Sequence, residues 1–260
     1  MQYKKVLIGN DDGISAPGII LLENLVSKSF EEVVVIAPDI NKSGASHSIT
    51  LTNLLRAKEV SPKHYAVTGS PVDCVAFGLR YLFDEANYPD LVLSGINNDT
   101  NISEDVWYSG TVAVAREAAL FGIPAIAFSV QRPLGQAVSW EIARHYVPVV
   151  LNKILNSFVF NPGTYISVNF PAVKVEEVKG IKVLAQGVRK NMGIIEKSID
   201  PYGYPYYWLK AGKYVYDKSL SGYTDNCGLD DGYITVVPLS VNMTDYSSLD
   251  KLKGICDGEF

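Results

Sequence analysis

Short apolar runs alternate with helical spacing over the first 170 residues. Val6 to Gly9 is an apolar run that stops at Asn10-Asp11-Asp12-Gly13. From about 17 to 29, Ile19, Leu22 and Val26 recur at helical spacing, and Pro17 suits a first-turn position. Val33-Val34-Val35-Ile36-Ala37 is β-branched and continuously apolar, the pattern of a strand covered on both faces. Leu91-Val92-Leu93 and Ile126-Ala127-Phe128 repeat it. Helices are predicted near 71–83, 109–121 and 137–156, and a further strand at Tyr165-Ile166-Ser167-Val168. This βαβ rhythm predicts an α/β fold, a mostly parallel sheet flanked by helices on both faces.

The pattern changes near residue 180. Strand-like pieces (Ile181 to Ala185, Tyr206 to Leu209, Tyr233 to Val237) are separated by turn-rich polar stretches, and a short helix is predicted from about Ser247. Eight of the 16 tyrosines fall between Tyr202 and Tyr233. Two readings stand: a β-rich arm used for subunit contact or for shaping the site, or an ordinary antiparallel extension. The expected organisation is one domain over 1–260, with a core to about 175, the arm and extension at about 180–245, and a tail.

Of the 260 residues, 47% are apolar and 20% charged, enough for a sizeable core and against disorder. Acidic residues outnumber basic ones 28 to 23, so a nucleic-acid groove is not expected. An anionic substrate would need local chemistry to attract it. Three cysteines without a CxxC pair read as reduced thiols. No signal-peptide core or membrane-length apolar run is present, so a soluble, cytoplasmic protein is expected.

Ligands in open parallel sheets bind off the carboxyl ends of the strands. The first three apolar runs end in Asn10-Asp11-Asp12-Gly13, in Pro38 to Gly44, and in a loop containing Ser94, Asn97, Asn98, Asp99 and Asn101. Adjacent carboxylates repel, and a hard divalent cation relieves that repulsion. Asp11, Asp12, Ser43 and Asn97 offer the carboxylate, hydroxyl and amide oxygens it prefers. The competing reading is a solvated Asp-Asp-Gly turn. Ser109-Gly110-Thr111 opens a predicted helix, where amides can hold phosphate, although plain N-capping explains the same residues. No P-loop, GxGxxG fingerprint or G-x-S-x-G elbow occurs. Cys74, at a predicted helix start, reads as buried and inert, and His47 is the one histidine in a predicted site loop.

Taken in order, Gly9-Asn10-Asp11-Asp12-Gly13, Ser43-Gly44-Ala45-Ser46, Thr68-Gly69-Ser70-Pro71-Val72-Asp73-Cys74, Ser94-Gly95-Ile96-Asn97, Tyr108-Ser109-Gly110-Thr111-Val112 and Val168-Asn169-Phe170-Pro171 resemble the stationary-phase survival protein SurE family of nucleoside monophosphate phosphatases. Tyr206-Tyr207-Trp208, Thr224-Asp225 and Gly232-Tyr233-Ile234-Thr235 extend the match over nearly the whole chain. The resemblance implies a Rossmann-like core and a β-hairpin arm that pairs subunits into a homodimer or homotetramer. It implies hydrolysis of nucleoside 5′- and 3′-monophosphates, and in some members of short polyphosphate. One Mg²⁺ or Mn²⁺ per subunit would be held by Asp11, Asp12, Ser43 and Asn97, and phosphate by Asn101, Ser109, Gly110 and Thr111.

The chain departs from the family at two places. Asp99 stands where glycine is common, and Leu184-Ala185-Gln186-Gly187 replaces a common Thr-Arg-Gln-Gly. The expected chemistry is in-line attack of water on a cation-polarised phosphoryl group, with Asp12, beside Asp11, as general base or nucleophile. Two rivals remain: a haloacid-dehalogenase-type phosphatase, disfavoured because the spacing is not Asp-x-Asp, and a nucleotide-binding regulatory module without turnover.

Overall fold

Each apolar run of the first 170 residues is a strand, and the alternation of its side chains feeds two separate cores. In the computed structural model, which describes residues 3–133, 135–188, 193–210 and 222–257, the elements follow in chain order. They are β1 (Lys5–Gly9), α1 (Pro17–Val26), β2 (Glu32–Pro38), β3 (Ala57–Ser61), β4 (His64–Val67), α2 (Pro71–Phe77), β5 (Leu91–Asn97), α3 (Asp105–Tyr108), α4 (Gly110–Leu120) and β6 (Ala125–Val130). There follow α5 (Glu141–Ser157), β7 (Thr164–Phe170), β8 (Ile181–Val183), β9 (Ile194–Ile199), β10 (Pro205–Lys210), α6 (Asp225–Asp230), β11 (Ile234–Ser240) and α7 (Tyr246–Cys256).

Among the described residues, nine strands form one sheet in the order β3-β4-β2-β1-β5-β6-β7-β11-β8. From β4 to β7 every neighbour is parallel. Val6, Ile8, Leu91, Leu93, Ile126 and Phe128 face a core shared with Ile19 and Leu22 of α1 and Val147 and Val150 of α5. Leu7, Val34, Ile36, Val92 and Ala127 face the other core, with Cys74 and Val75 of α2 and Val112 and Ala115 of α4. Strands sandwiched in this way have no polar face, which is why they read as unbroken apolar runs.

The β-rich C-terminal region divides. β11 runs antiparallel to β7 and carries β8 at the edge of the main sheet. β9 and β10 form a separate antiparallel hairpin. Residues 211–221, which include Tyr214 and Tyr216 of the tyrosine-rich stretch, lie outside the described residues. The predicted helix at 71–83 is α2 followed by a π-helical turn over Gly78–Leu82. No helix among the described residues is long and apolar enough to cross a membrane.

The strand order places the site. From β1 the chain passes to β2 on one side and later to β5 on the other. The crevice at the carboxyl ends of β1 and β5 is therefore a topological switch point, where loops diverge and leave room for a ligand. Asp11 and Asp12 leave β1 there, and Asn97 ends β5.

Candidate functional site

The loop after β1 closes on itself. Asn10 Nδ2 donates to Gly13 O at 3.0 Å, and Gly13 N donates to Asn10 Oδ1 at 3.1 Å. Gly13 sits at φ +109°, a conformation that side chains resist. This turn sets two consecutive carboxylates in different surroundings. Asp11 is buried, only 4% exposed, while Asp12 is half-buried.

Asp11 lies against the start of α4. The Thr111 hydroxyl donates to its Oδ1, and the amides of Gly110 and Thr111 donate to the same carboxylate. Burial pushes the Asp11 carboxyl above its usual range, and these donors pull it partly back. Gly110 allows the approach, because a Cβ there would lie 2.6 Å from Asp11 Cβ and 2.8 Å from Pro71 Cγ. The helix-start donors expected to grip phosphate are thus turned to an internal carboxylate at Gly110 and Thr111. Ser109 is the N-cap, its Oγ accepting from Val112 N at 3.0 Å. That cap uses the oxygen as an acceptor, and the hydroxyl proton remains a separate donor.

Asp12 accepts from Asn41 Nδ2 at 3.1 Å and from the Asn98 amide. Burial first, then the charge of Asp11, push its carboxyl up to about 6. The loop after β2 is pinned on both sides. Lys42 N donates to Asp11 O at 2.7 Å, Ser43 N to Asn41 Oδ1 at 2.8 Å, and Ser46 N to Tyr108 O at 3.0 Å. Ser43 is held between these anchors and is exposed. Asn97 Nδ2 donates to Asp99 O at 2.7 Å, so its carbonyl oxygen is the atom left to face a cation.

Asn101 is placed by the two strands beyond β5. Its Nδ2 donates to Ser129 Oγ at 2.8 Å, and its backbone is bonded by Asn169. Ser129 and Asn169 are not among the site residues that the chain's own pattern picks out. The signal was present, since both are polar residues near the carboxyl end of an apolar run, as Asp11 and Asn97 are. His47 faces α4, with Nε2 2.8 Å from Glu117 Oε2. Cys74 is buried, and burial raises its thiol well above the ordinary value, which leaves it inert at neutral pH.

Among the described residues, no three His, Cys, Asp or Glu side chains gather to hold a metal. The residues expected from the sequence to hold a cation are instead two carboxylates, Asp11 and Asp12, with the Asn97 amide and Ser43 hydroxyl oxygens, at the end of β5 and on the loops after β1 and β2. That is oxygen-only chemistry, suited to a hard divalent cation and poorly suited to zinc.

An open, mostly parallel sheet with helices packed on both faces and polar loops at its switch point defines a doubly wound α/β protein. The family profile described as "Survival protein SurE" matches residues 6–192. The chain is 39% identical over 251 residues to the 5'-nucleotidase SurE of Chelativorans sp. (strain BNC1), covering 95% of this chain and 98% of that one. It is 40% identical over 245 residues to the 5'-nucleotidase SurE of Rhodopseudomonas palustris (strain BisA53), covering 93% and 95%. The crystal structure of the SurE protein from Aquifex aeolicus superposes with a TM-score of 0.81 at 40% identity, over 97% of this chain and 99% of that one. The chain belongs to the SurE family.

Proposed function

We propose that this chain is a divalent-metal-dependent 5'-nucleotidase, a phosphomonoester hydrolase that releases nucleoside and phosphate from nucleoside monophosphates. The observation that carries the reading is the Asp11–Asp12 pair at the switch point, in a chain whose relatives named 5'-nucleotidase SurE match it over 93–95% of its length. Asp11, Asp12, Ser43 and Asn97 are the proposed ligands of one Mg²⁺ or Mn²⁺ per subunit. When bound, the cation would neutralise phosphoryl charge and polarise the phosphoryl oxygens.

The chain's own groups divide the remaining work. Asp11 is held rigidly by the α4 terminus and fixes the position of its neighbour. Asp12, half-buried and bordering a cavity, is the carboxylate that takes the proton of the attacking water. Asn101 and Ser109 donate to the phosphoryl oxygens, and Gly110 and Thr111 join them to the extent that Asp11 turns away. The same site accommodates 3'-monophosphates and the end of a short polyphosphate, since only a terminal phosphoryl group has to enter it.

The hairpin supports assembly. Ile195, Ile199, Tyr204, Tyr207, Trp208 and Leu209 are all exposed on a two-stranded unit that is marginal by itself. We assign it to a homodimer or homotetramer contact. A cytoplasmic location accords with three unpaired cysteines.

The test is phosphate release from AMP, GMP and p-nitrophenyl phosphate with Mn²⁺ or Mg²⁺ added, beside Asp12→Asn. Metal-dependent release by the wild type, abolished in the variant, is expected. No release with either metal, or full activity in the variant, refutes the enzyme. Nucleotide binding without turnover would establish the regulatory-module alternative.

A further inference from the structure

Asp12 also borders a cavity of about 610 Å³. Its wall includes Asp39, Ile40 and Asn41 from the end of β2 and the loop after it, and Arg132, Gln136 and Trp140 from the segment between β6 and α5. The volume falls within the range of about 300–1,000 Å³ found for small-molecule sites. It far exceeds what a phosphoryl group needs, so a site built for phosphate alone would not explain it.

The lining matches the other half of a nucleotide. Ile40, 60% exposed, and Trp140 supply apolar and aromatic surface of the kind on which a base rests. Asp39 and the Asn41 side chain present oxygens that accept from sugar hydroxyls. Arg132 can only donate, so it suits acceptor atoms on a base edge, such as the adjacent O6 and N7 of guanine.

Arg132 is not left to wander. Its Nη2 lies 3.4 Å from Asp99 Oδ2, and Asp99 Oδ1 accepts from Thr100 N at 2.8 Å. An ion pair this exposed adds little to stability, so its consequence is the direction it gives the guanidinium. The unusual carboxylate of Asp99 therefore has an arginine as its partner, which offsets its charge beside an anionic substrate.

We propose that this cavity holds the nucleoside half of a nucleoside monophosphate, with Arg132, oriented by Asp99, as the residue that contacts the base. The inference rests on the phosphatase reading of the Asp11–Asp12 site. Phosphate enters at the carboxylates, while base and sugar lie between the β2 loop and the side chains of Arg132, Gln136 and Trp140.

The test uses the full chain in three forms: wild type, Arg132→Ala and Arg144→Ala, the last an exposed arginine on α5 serving as the control. Two quantities are measured: guanosine binding by calorimetry, and KM for GMP and for p-nitrophenyl phosphate with Mn²⁺. Arg132→Ala is expected to weaken guanosine binding about tenfold. It should raise the GMP KM by a similar factor relative to the change for p-nitrophenyl phosphate, with kcat retained. Arg144→Ala should match wild type. Unchanged guanosine affinity in Arg132→Ala, or equal shifts in both KM values, overturns the proposal. If the wild type cleaves neither phosphate, the phosphatase reading fails. Guanosine binding then judges the cavity alone: loss in Arg132→Ala upholds it, and no binding to wild type overturns it.

Discussion

Asn169 holds the backbone of Asn101 in both directions. Its Oδ1 accepts from Asn101 N at 2.8 Å and its Nδ2 donates to Asn101 O at 3.2 Å, across 68 residues of sequence. Asn169 lies on β7, two strands from β5, and Ser129 on the intervening β6 takes the Asn101 side chain. A proposed phosphate-contacting residue is thus located by the two neighbouring strands rather than by its own loop. Asn169→Ala leaves a buried amide and carbonyl without these partners. The expected loss is roughly 1–3 kcal/mol of stability, read by urea denaturation, together with a fall in kcat/KM for AMP. Unchanged kinetics would mean that Asn101 keeps its place without Asn169.

The close packing at Gly110 makes a sharper demand. A methyl group there meets Asp11 Cβ at 2.6 Å and Pro71 Cγ at 2.8 Å, so α4 and the β1 loop must separate. Gly110→Ala should cost roughly 1–3 kcal/mol, as overpacking of a tight contact does. Because the displaced residue is Asp11, Mn²⁺ affinity measured by calorimetry should fall too. Retained affinity would remove Asp11 from the ligand set.

Stability should depend on pH in a way that added metal reverses. The folded-state value of Asp12 is raised to about 6, above that of an unfolded carboxylate. Folding therefore favours the protonated form. Its contribution is complete below about pH 4 and is lost as pH rises through about 6. A cation binds only the ionised form, so Mn²⁺ should raise Tm more at about pH 7.5 than at about pH 5. Equal shifts at both values, seen by differential scanning fluorimetry, would contradict a cation at Asp12.

Asp225 ties the C-terminal region to the site. Its carboxylate accepts from the amides of Ser103 and Gly187, each at 2.9 Å, and from Asn226 N at 2.8 Å, while 1% exposed. Asp225→Ala strands three amides and should cost about 2–4 kcal/mol. Hydrogen exchange should report the release as faster labelling of the segment around Ser103.

Thiol chemistry gives a simple count. Cys256 is exposed, whereas Cys74 and Cys227 are buried. Native protein should react rapidly with one equivalent of a thiol reagent per chain and with three after denaturation. Rapid labelling of Cys256→Ser would show that α2 or α6 opens.

The parts of the fold that were legible in the chain share one cause. Val33 to Ala37, Leu91 to Leu93 and Ile126 to Phe128 are covered on both faces, so burial wrote itself into each residue type. β3 went unseen because all five of its residues are exposed at the sheet edge, and β4 beside it is only half covered. Of the β9–β10 hairpin, β10 is legible at Tyr206 to Leu209, the hairpin itself is implied by the family resemblance, and β9, nearly all exposed, is not picked out. The pairing of β11 with β7 is not legible either, because a strand's pattern records that it is buried without recording against what.

The candidate site shows the same division. That Asp11, Asp12, Ser43 and Asn97 end successive apolar runs is a fact of order along the chain, and parallel topology then points those ends to one side. The chain alone does not say where each donor is aimed. Gly110 and Thr111 read as anion donors at a helix start, and the fold sets both against the buried carboxylate of Asp11. Asn169 and Arg132 acquire their proposed roles through partners 68 and 33 residues away. Burial and backbone preference act locally and leave a readable pattern. A hydrogen bond between distant residues leaves none until the chain has brought them together.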